Sequence, residues 1–293
     1  MIYDNTYPRY LPHLEHPEVL VMGLNPMQAE SWIEQDNSLP SYIQHKRTMR
    51  SLHGARVYQA DQTSLPAQLE LSKMLRAHLL ESDGREHLDG KESGSVPTEV
   101  PPAADSPEVL WETSLWIADD LVLMEQRGDE YYLTAASLCS PSHWHLEEKF
   151  GRPMREIHDP IPGFHRELTP RIDRFFKHLQ PSHPVVRFNW SVQAGYNLAQ
   201  FPDSEPPVDE HTDLYYRCER QSLVRLPVTG AIAFTIRVYL HPLETLSRVP
   251  GAMTAMLKAI DGTPTALAQY KGFDQLASAL GKYRAINSPE PPA

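Results

Sequence analysis

Residues 230–240 read GAIAFTIRVYL, in which Ile232, Phe234, Ile236, Val238 and Leu240 alternate with Ala233, Thr235, Arg237 and Tyr239. A period of two is the signature of a strand, here with one apolar and one more polar face. Upstream, LYYRCERQSLVRL (214–226) and PVVRFNWSVQ (184–193) are further strand candidates, and PVTG (227–230) is short enough to join the last two strands as an antiparallel hairpin. Earlier still, SLWIADDLVLME and YYLTAASLC are separated by QRGDE, which predicts a hairpin turning at Gly128 and Asp129. Between these groups Ser140 caps a helix with Pro141 at its first position, running through HWHLEEKF to Gly151, and Pro153 opens another short turn. Thr169 and Pro170 begin a clearer helix with Ile172, Phe175, Phe176 and Leu179 on one face. Two strands, short helices and three strands predict an α+β domain, an antiparallel sheet with its helices on one face, in the order of a PAS-like domain.

Residues 109–245 form this core. Residues 1–80 read as a mainly helical extension: Leu65, Leu69, Leu71, Met74, Leu75, Leu79 and Leu80 approach a helical stripe, with Pro66 suited to the first turn. Residues 81–108, rich in Gly, Pro, Ser and Asp and without an aromatic residue, read as an acidic linker or loop. Residues 246–285 carry two amphipathic helices, PGAMTAMLKAI and FDQLASALGKY, and residues 286–293 form a disordered tail.

The hydrophobic fraction of 41% suffices for a proper core, and the net charge of −11 disfavours nucleic acid and anionic membranes as partners. No stretch approaches the roughly 20 apolar residues of a membrane span, and the N-terminus lacks a basic, then apolar, export signal, so the expected location is the cytoplasm. Cys139 and Cys218 have no metal-binding spacing and read as buried free thiols.

The densest chemistry lies in CSPSHWHLEEKFGRPMREIHDPIPGF (139–164). His158 stands at a loop stiffened by Pro160 and Pro162, where it either caps the preceding helix or presents a rigid imidazole to a metal. On the 214–226 strand, Arg217, Glu219, Gln221 and Arg225 share a face too polar for an ordinary core, so it meets water or an anionic ligand. An alternative centre is a non-heme iron face of His211, Asp213 and His241. His143 and His145 point in different directions on a helix and do not share a metal.

Those blocks, followed by VVRFNWSV, YYRCERQSLVRLPVTGAIAFTIRVYLHPL and YKGF, and preceded by GLNPMQAESWIEQD (23–36), resemble the heme-dependent oxidative N-demethylase alpha-subunit family. The resemblance implies a PAS-like core holding heme b, with His158 as axial ligand and His165 as the runner-up. It makes Arg187, Arg220 and Arg225 candidates for pairing with the propionates, and Glu219 for holding a cationic amine. Ser222 stands where the family more usually has threonine. The implied reaction activates dioxygen at a histidine-ligated heme, abstracts hydrogen from an N-methyl group of a small secondary amine, and lets the carbinolamine collapse to formaldehyde and the demethylated amine. The chain has no flavin or iron–sulfur motif, so electrons are expected from a flavin or iron–sulfur partner protein. A heme-based PAS sensor is the non-catalytic alternative. Because Glu219 and Arg220 fall on opposite strand faces, both meet one ligand only if the strand is bulged.

Overall fold

A computed structural model describes residues 7–88, 107–159, 161–162, 169–203 and 207–287 of the 293. The strands are β1 (Asn25–Pro26), β2 (Tyr58–Ala60), β3 (Asp120–Arg127), β4 (Glu130–Ser137), β5 (Val185–Ala194), β6 (Leu214–Arg225) and β7 (Ile232–Pro242). They form one antiparallel sheet in the order β1-β5-β6-β7-β3-β4-β2. The helices are α1 (Pro12–Glu15), α2 (Leu39–His53), α3 (Leu65–Leu88), α4 (Val109–Ser114), α5 (Leu146–Lys149), α6 (Met154–Ile157), α7 (Thr169–His178), α8 (Ala252–Asp261), α9 (Thr265–Tyr270) and α10 (Ala277–Asn287). The fold is α+β, and the expected sequence of two strands, short helices and three strands holds from β3 to β7.

The β3–β4 hairpin turns where the sequence places it, with Gly128 at φ +64°, a backbone conformation that carries no penalty without a Cβ. Its register then shifts: Leu123 pairs with Ala135 but Met124 with Leu133, so Thr134 is an extra residue in β4. A bulge reverses the side-chain alternation beyond it, so Leu133 and Ala136 both turn toward one cluster while Ala135 joins another.

Alternation along β6 sorts the two faces of the sheet. The front carries Leu223 together with Ile236 and Val238 of β7, and packs against Leu146 of α5 and Ile172, Phe175 and Phe176 of α7. The back carries Tyr216 and Cys218, covered by Met253, Met256 and Leu257 of α8 and Leu280 of α10. Farther along the back, Leu121, Leu123 and Ala233 pack against Leu71 and Leu75 of α3 and Leu110 of α4. Helices therefore cover both faces, which corrects the expectation of one, and explains why nearly the whole of β6 is buried.

The helix expected from Ser140 is replaced by irregular chain, with only Leu146–Lys149 helical. The backbone N–H of Ser140 donates to Asp120 Oδ2 at 2.7 Å and its carbonyl accepts from Arg217 Nη2 at 2.6 Å, so neither group is available to start a helix. His143 follows at φ +60° and its N–H donates to the Gln200 carbonyl. At the N-terminal side, β1 and β2 close the two edges of the sheet, and α3 continues to Leu88, past the point where composition suggests a loop. Residues 89–106 and 288–293, which carry the rest of the expected linker and the tail, lie outside the described residues. No described helix is long and apolar enough to cross a membrane.

Candidate functional site

A pocket opens between the front of the sheet and helices α6 and α7. Its floor is Val122 and Met124 of β3, Leu133 of β4, Leu223 of β6 and Phe234 and Ile236 of β7. Its roof is Met154, Ile157 and His158 at α6 with Ile172, Phe175 and Phe176 of α7, and the run Leu20–Met22 closes one side. The β4 bulge brings Leu133 onto this floor, a common use of bulges beside sites. The enclosed space is about 180 Å³, below the roughly 300–1,000 Å³ of small-molecule sites. Beyond Met22 and Phe175 it adjoins an open depression of about 520 Å³, rimmed by Arg171, Arg174 and His178 of α7. A flat group larger than the enclosed space would keep one edge in this mouth.

His158 follows α6 immediately. Its Nδ1 lies 3.0 Å from the carbonyl oxygen of Met154, and because a carbonyl only accepts, Nδ1 carries the proton. The helix-capping reading of His158 is what the geometry shows: the bond to Met154 fixes the ring and makes Nε2 the nitrogen that does not carry the proton. His165 lies outside the described residues.

The three arginines proposed for propionates part company. Arg187 lines the pocket; its Nη1 donates to Gln221 Oε1 and its Nη2 to the Val21 carbonyl, both at 2.9 Å, while its buried Nε has no partner. Burial lowers its pKa, with Glu219 pulling the other way. Arg220 lies on the back of the sheet, donating to the Trp32 carbonyl at 3.0 Å and to that of Ser31, beside Glu34. Arg225 secures the end of α7 and the β6–β7 turn through the carbonyls of Leu179 at 2.7 Å, Gly230 at 2.8 Å and Phe176. Neither lines the pocket, since β6 pairs without a bulge along its length and the other two positions are saturated by backbone carbonyls.

Glu219 is on the pocket's side of β6 but not in its wall. It accepts from Arg217 Nε at 2.9 Å, Gln221 Nε2 at 3.0 Å and Asn189 Nδ2 at 3.3 Å. Burial would raise its pKa, but Arg217 and then Lys271 hold it below the usual value. Along this face of β6, Arg217, Glu219 and Gln221 are buried and bond to one another and to neighbouring protein groups; Arg217 also donates to the carbonyls of Leu198 and Ser140. The non-heme iron alternative is not assembled. His211 is exposed on a loop, His241 is buried with its Nε2 accepting from the Arg9 N–H, and no group of three metal-binding side chains is placed together among the described residues.

Sequence reasoning missed Arg171, Arg174 and Lys271, whose charges look like any solvated helix or loop residue in isolation. It also missed the wall at Leu20–Met22, where the apolar run Val19–Met22 before Gly23 was the available signal.

The protein is thus an α+β domain whose sheet floors an apolar pocket with one imidazole and one guanidinium in its wall. The sequence model of the family described as "Haem-dependent oxidative N-demethylase, alpha subunit-like" matches residues 23–280, and the chain belongs to that family. The lining, though not the enclosed volume of about 180 Å³, has the chemistry the group in the family name requires: apolar side chains above and below, an imidazole in the wall, and cations at the adjoining open depression.

Proposed function

We propose that this chain is the heme-binding subunit of an oxidative N-demethylase, its front-face pocket on a PAS-like five-strand core holding heme b with His158 as the axial ligand. The observation that carries this reading is the Nδ1–Met154 bond of a histidine facing an apolar pocket, in a chain of this family. When bound, the heme supplies dioxygen activation for removal of an N-methyl group, with formaldehyde as the second product.

The chain's own groups position and exclude. Met154 fixes which nitrogen of His158 faces the pocket, and the carbonyl bond raises that nitrogen's basicity. Phe175, Phe176, Phe234 and Ile236 exclude water from the enclosed space. Reducing equivalents come from a flavin or iron–sulfur partner protein, in keeping with the alpha subunit of the family description.

Reconstitution with hemin tests the reading through the Soret band of the wild type, His158→Ala and His165→Ala. A 1:1 complex whose band moves or collapses only in His158→Ala is expected. Absence of any wild-type complex, or an unchanged band in His158→Ala, would refute it.

A further inference from the structure

Two of the described lining residues, Met22 and Phe175, border both the enclosed pocket and the open depression beside it, and so form the partition between them. The two are not equally held. Phe175 belongs to α7, a regular helix packed on the front of the sheet. Met22 belongs to irregular chain between α1 and β1.

Residues 20–24 form a half-buried strap beside β5, passing from the back of the sheet to the front. It is anchored before its start by Val19, buried in the cluster behind the sheet. Past its end, Asn25 and Pro26 pair with Val186 and Val185, and the Met27 N–H donates to the Pro184 carbonyl at 2.9 Å. Between these anchors no main-chain group of the strap bonds to another main-chain group among the described residues. Side chains tie it instead. Arg187 Nη2 donates to the Val21 carbonyl at 2.9 Å while its Nη1 is braced on Gln221 of β6, so Arg187 pins the strap to the sheet.

Space lies on both sides of the strap. Val21 lines the enclosed pocket and also a cleft of about 20 Å³ behind it, shared with Val19, Gly23 and Asn189. A segment with gaps in front and behind forgoes packing contacts, and with few backbone bonds it belongs to the easily opened part of a fold. Gly23 sits at φ +50°, a conformation that lets a hinge turn without a Cβ penalty. The enclosed space of about 180 Å³ is smaller than most ligands need, and moving Met22 aside joins it to the depression of about 520 Å³.

We propose that residues 20–24 are an entry gate: the strap swings about Gly23, Met22 leaves Phe175, and the pocket opens to a group too large for its enclosed space. The bond from Arg187 to Val21 is the latch. That the admitted group is a heme rests on the heme demethylase reading above. The test places a thiol on the pocket floor, Leu133→Cys, and times its reaction with a maleimide in the heme-free protein, while the buried Cys139 and Cys218 report unfolding. The floor thiol should react faster than both native cysteines. Adding Arg187→Met should speed it roughly 10-fold, as loss of one hydrogen bond from a charged group predicts, and leave the native cysteines unchanged. Met22→Ala, which thins the partition, should speed it as well, and decides the matter if Arg187→Met does not fold. Hemin uptake, followed at the Soret band without the added thiol, should quicken in the same variants. A floor thiol no faster than Cys139 and Cys218, or one indifferent to both substitutions, overturns the gate. If the wild type takes up no hemin, the heme reading fails on its own, and the labelling rates still decide whether the strap opens.

Discussion

Arg217 Nε donates to Glu219 Oε1 across 2.9 Å, and the two side chains are 1% and 9% exposed. A pair this buried is costly to break from one side, because the remaining charge stays desolvated. Glu219→Gln is therefore expected to lower unfolding stability by about 3 kcal/mol, read by urea denaturation, and to do so with or without amine present. The sign of the pH dependence follows from the lowered folded-state pKa of Glu219. Its contribution is fully present above about pH 4.5, its ordinary value, and is lost as pH falls through the lower folded value. A variant as stable as wild type at neutral pH would show the pair to be dispensable.

Arg220 gives a contrasting expectation. Its guanidinium holds the Ser31 and Trp32 carbonyls against the back of the sheet, away from the pocket. Arg220→Ala should cost about 2–4 kcal/mol by orphaning buried acceptors and the neighbouring Glu34, while the hemin complex keeps its Soret band. Loss of hemin binding by a folded Arg220→Ala protein would restore it to the site.

These two adjacent residues show what was legible in the sequence. Alternation in β5, β6 and β7 identified the strands and put Glu219 and Arg220 on opposite faces, but not which face meets the pocket, because helices bury both. The Gly128–Asp129 turn was readable from its residue types; the Thr134 bulge was not, since an apolar β4 reads the same in either register. Strands of two and three residues, as in β1 and β2, are too short to show a period. Ser140 and Pro141 carry a sound local helix signal that tertiary contacts override: Asp120 and Arg217 take the backbone groups of Ser140. His158, singled out by the prolines that follow it, lies in the pocket wall, whereas Lys271 is tied into the polar cluster through Asn189, 82 residues away, which no local pattern shows.

Gly128 offers a stability test independent of the site. Nothing lies within 4 Å of a Cβ built there, so the cost of Gly128→Ala comes from φ +64° alone and should be about 1 kcal/mol. Thermal unfolding that is unchanged or improved would contradict the left-handed turn.

His45 governs part of the acid response. Its Nε2 donates to the Cys139 carbonyl at 2.8 Å, and burial, together with Lys46 and Arg217, lowers its pKa from 6.5 to about 4 despite that bond. Between those values the unfolded chain binds the proton and the folded one does not, so stability falls as pH drops from about 6.5 to about 4. Asp120, raised by burial from 3.8 to about 6, works in the opposite sense over a similar range. The informative quantity is thus the difference between wild type and His45→Gln, which should shrink steadily as pH falls through this window. A difference constant from pH 7 to 4 would show that His45 does not titrate differently on folding.

The mouth arginines bear on how a heme would be oriented. Arg171 and Arg174 lie on the exposed side of α7, next to Phe175 in the pocket roof, so a macrocycle inserted by its apolar edge would present its carboxylates to them. Exposed pairs contribute about 0.2–1 kcal/mol each, so Arg171→Ala combined with Arg174→Ala should speed hemin loss to apomyoglobin by roughly two- to thirty-fold. The effect should weaken at high salt, because these charges face solvent. Hemin dimethyl ester, which has no carboxylates, should leave wild type and the double variant at the same rate. Equal rates of hemin loss from the two proteins at low salt would mean that the acidic edge does not meet these arginines.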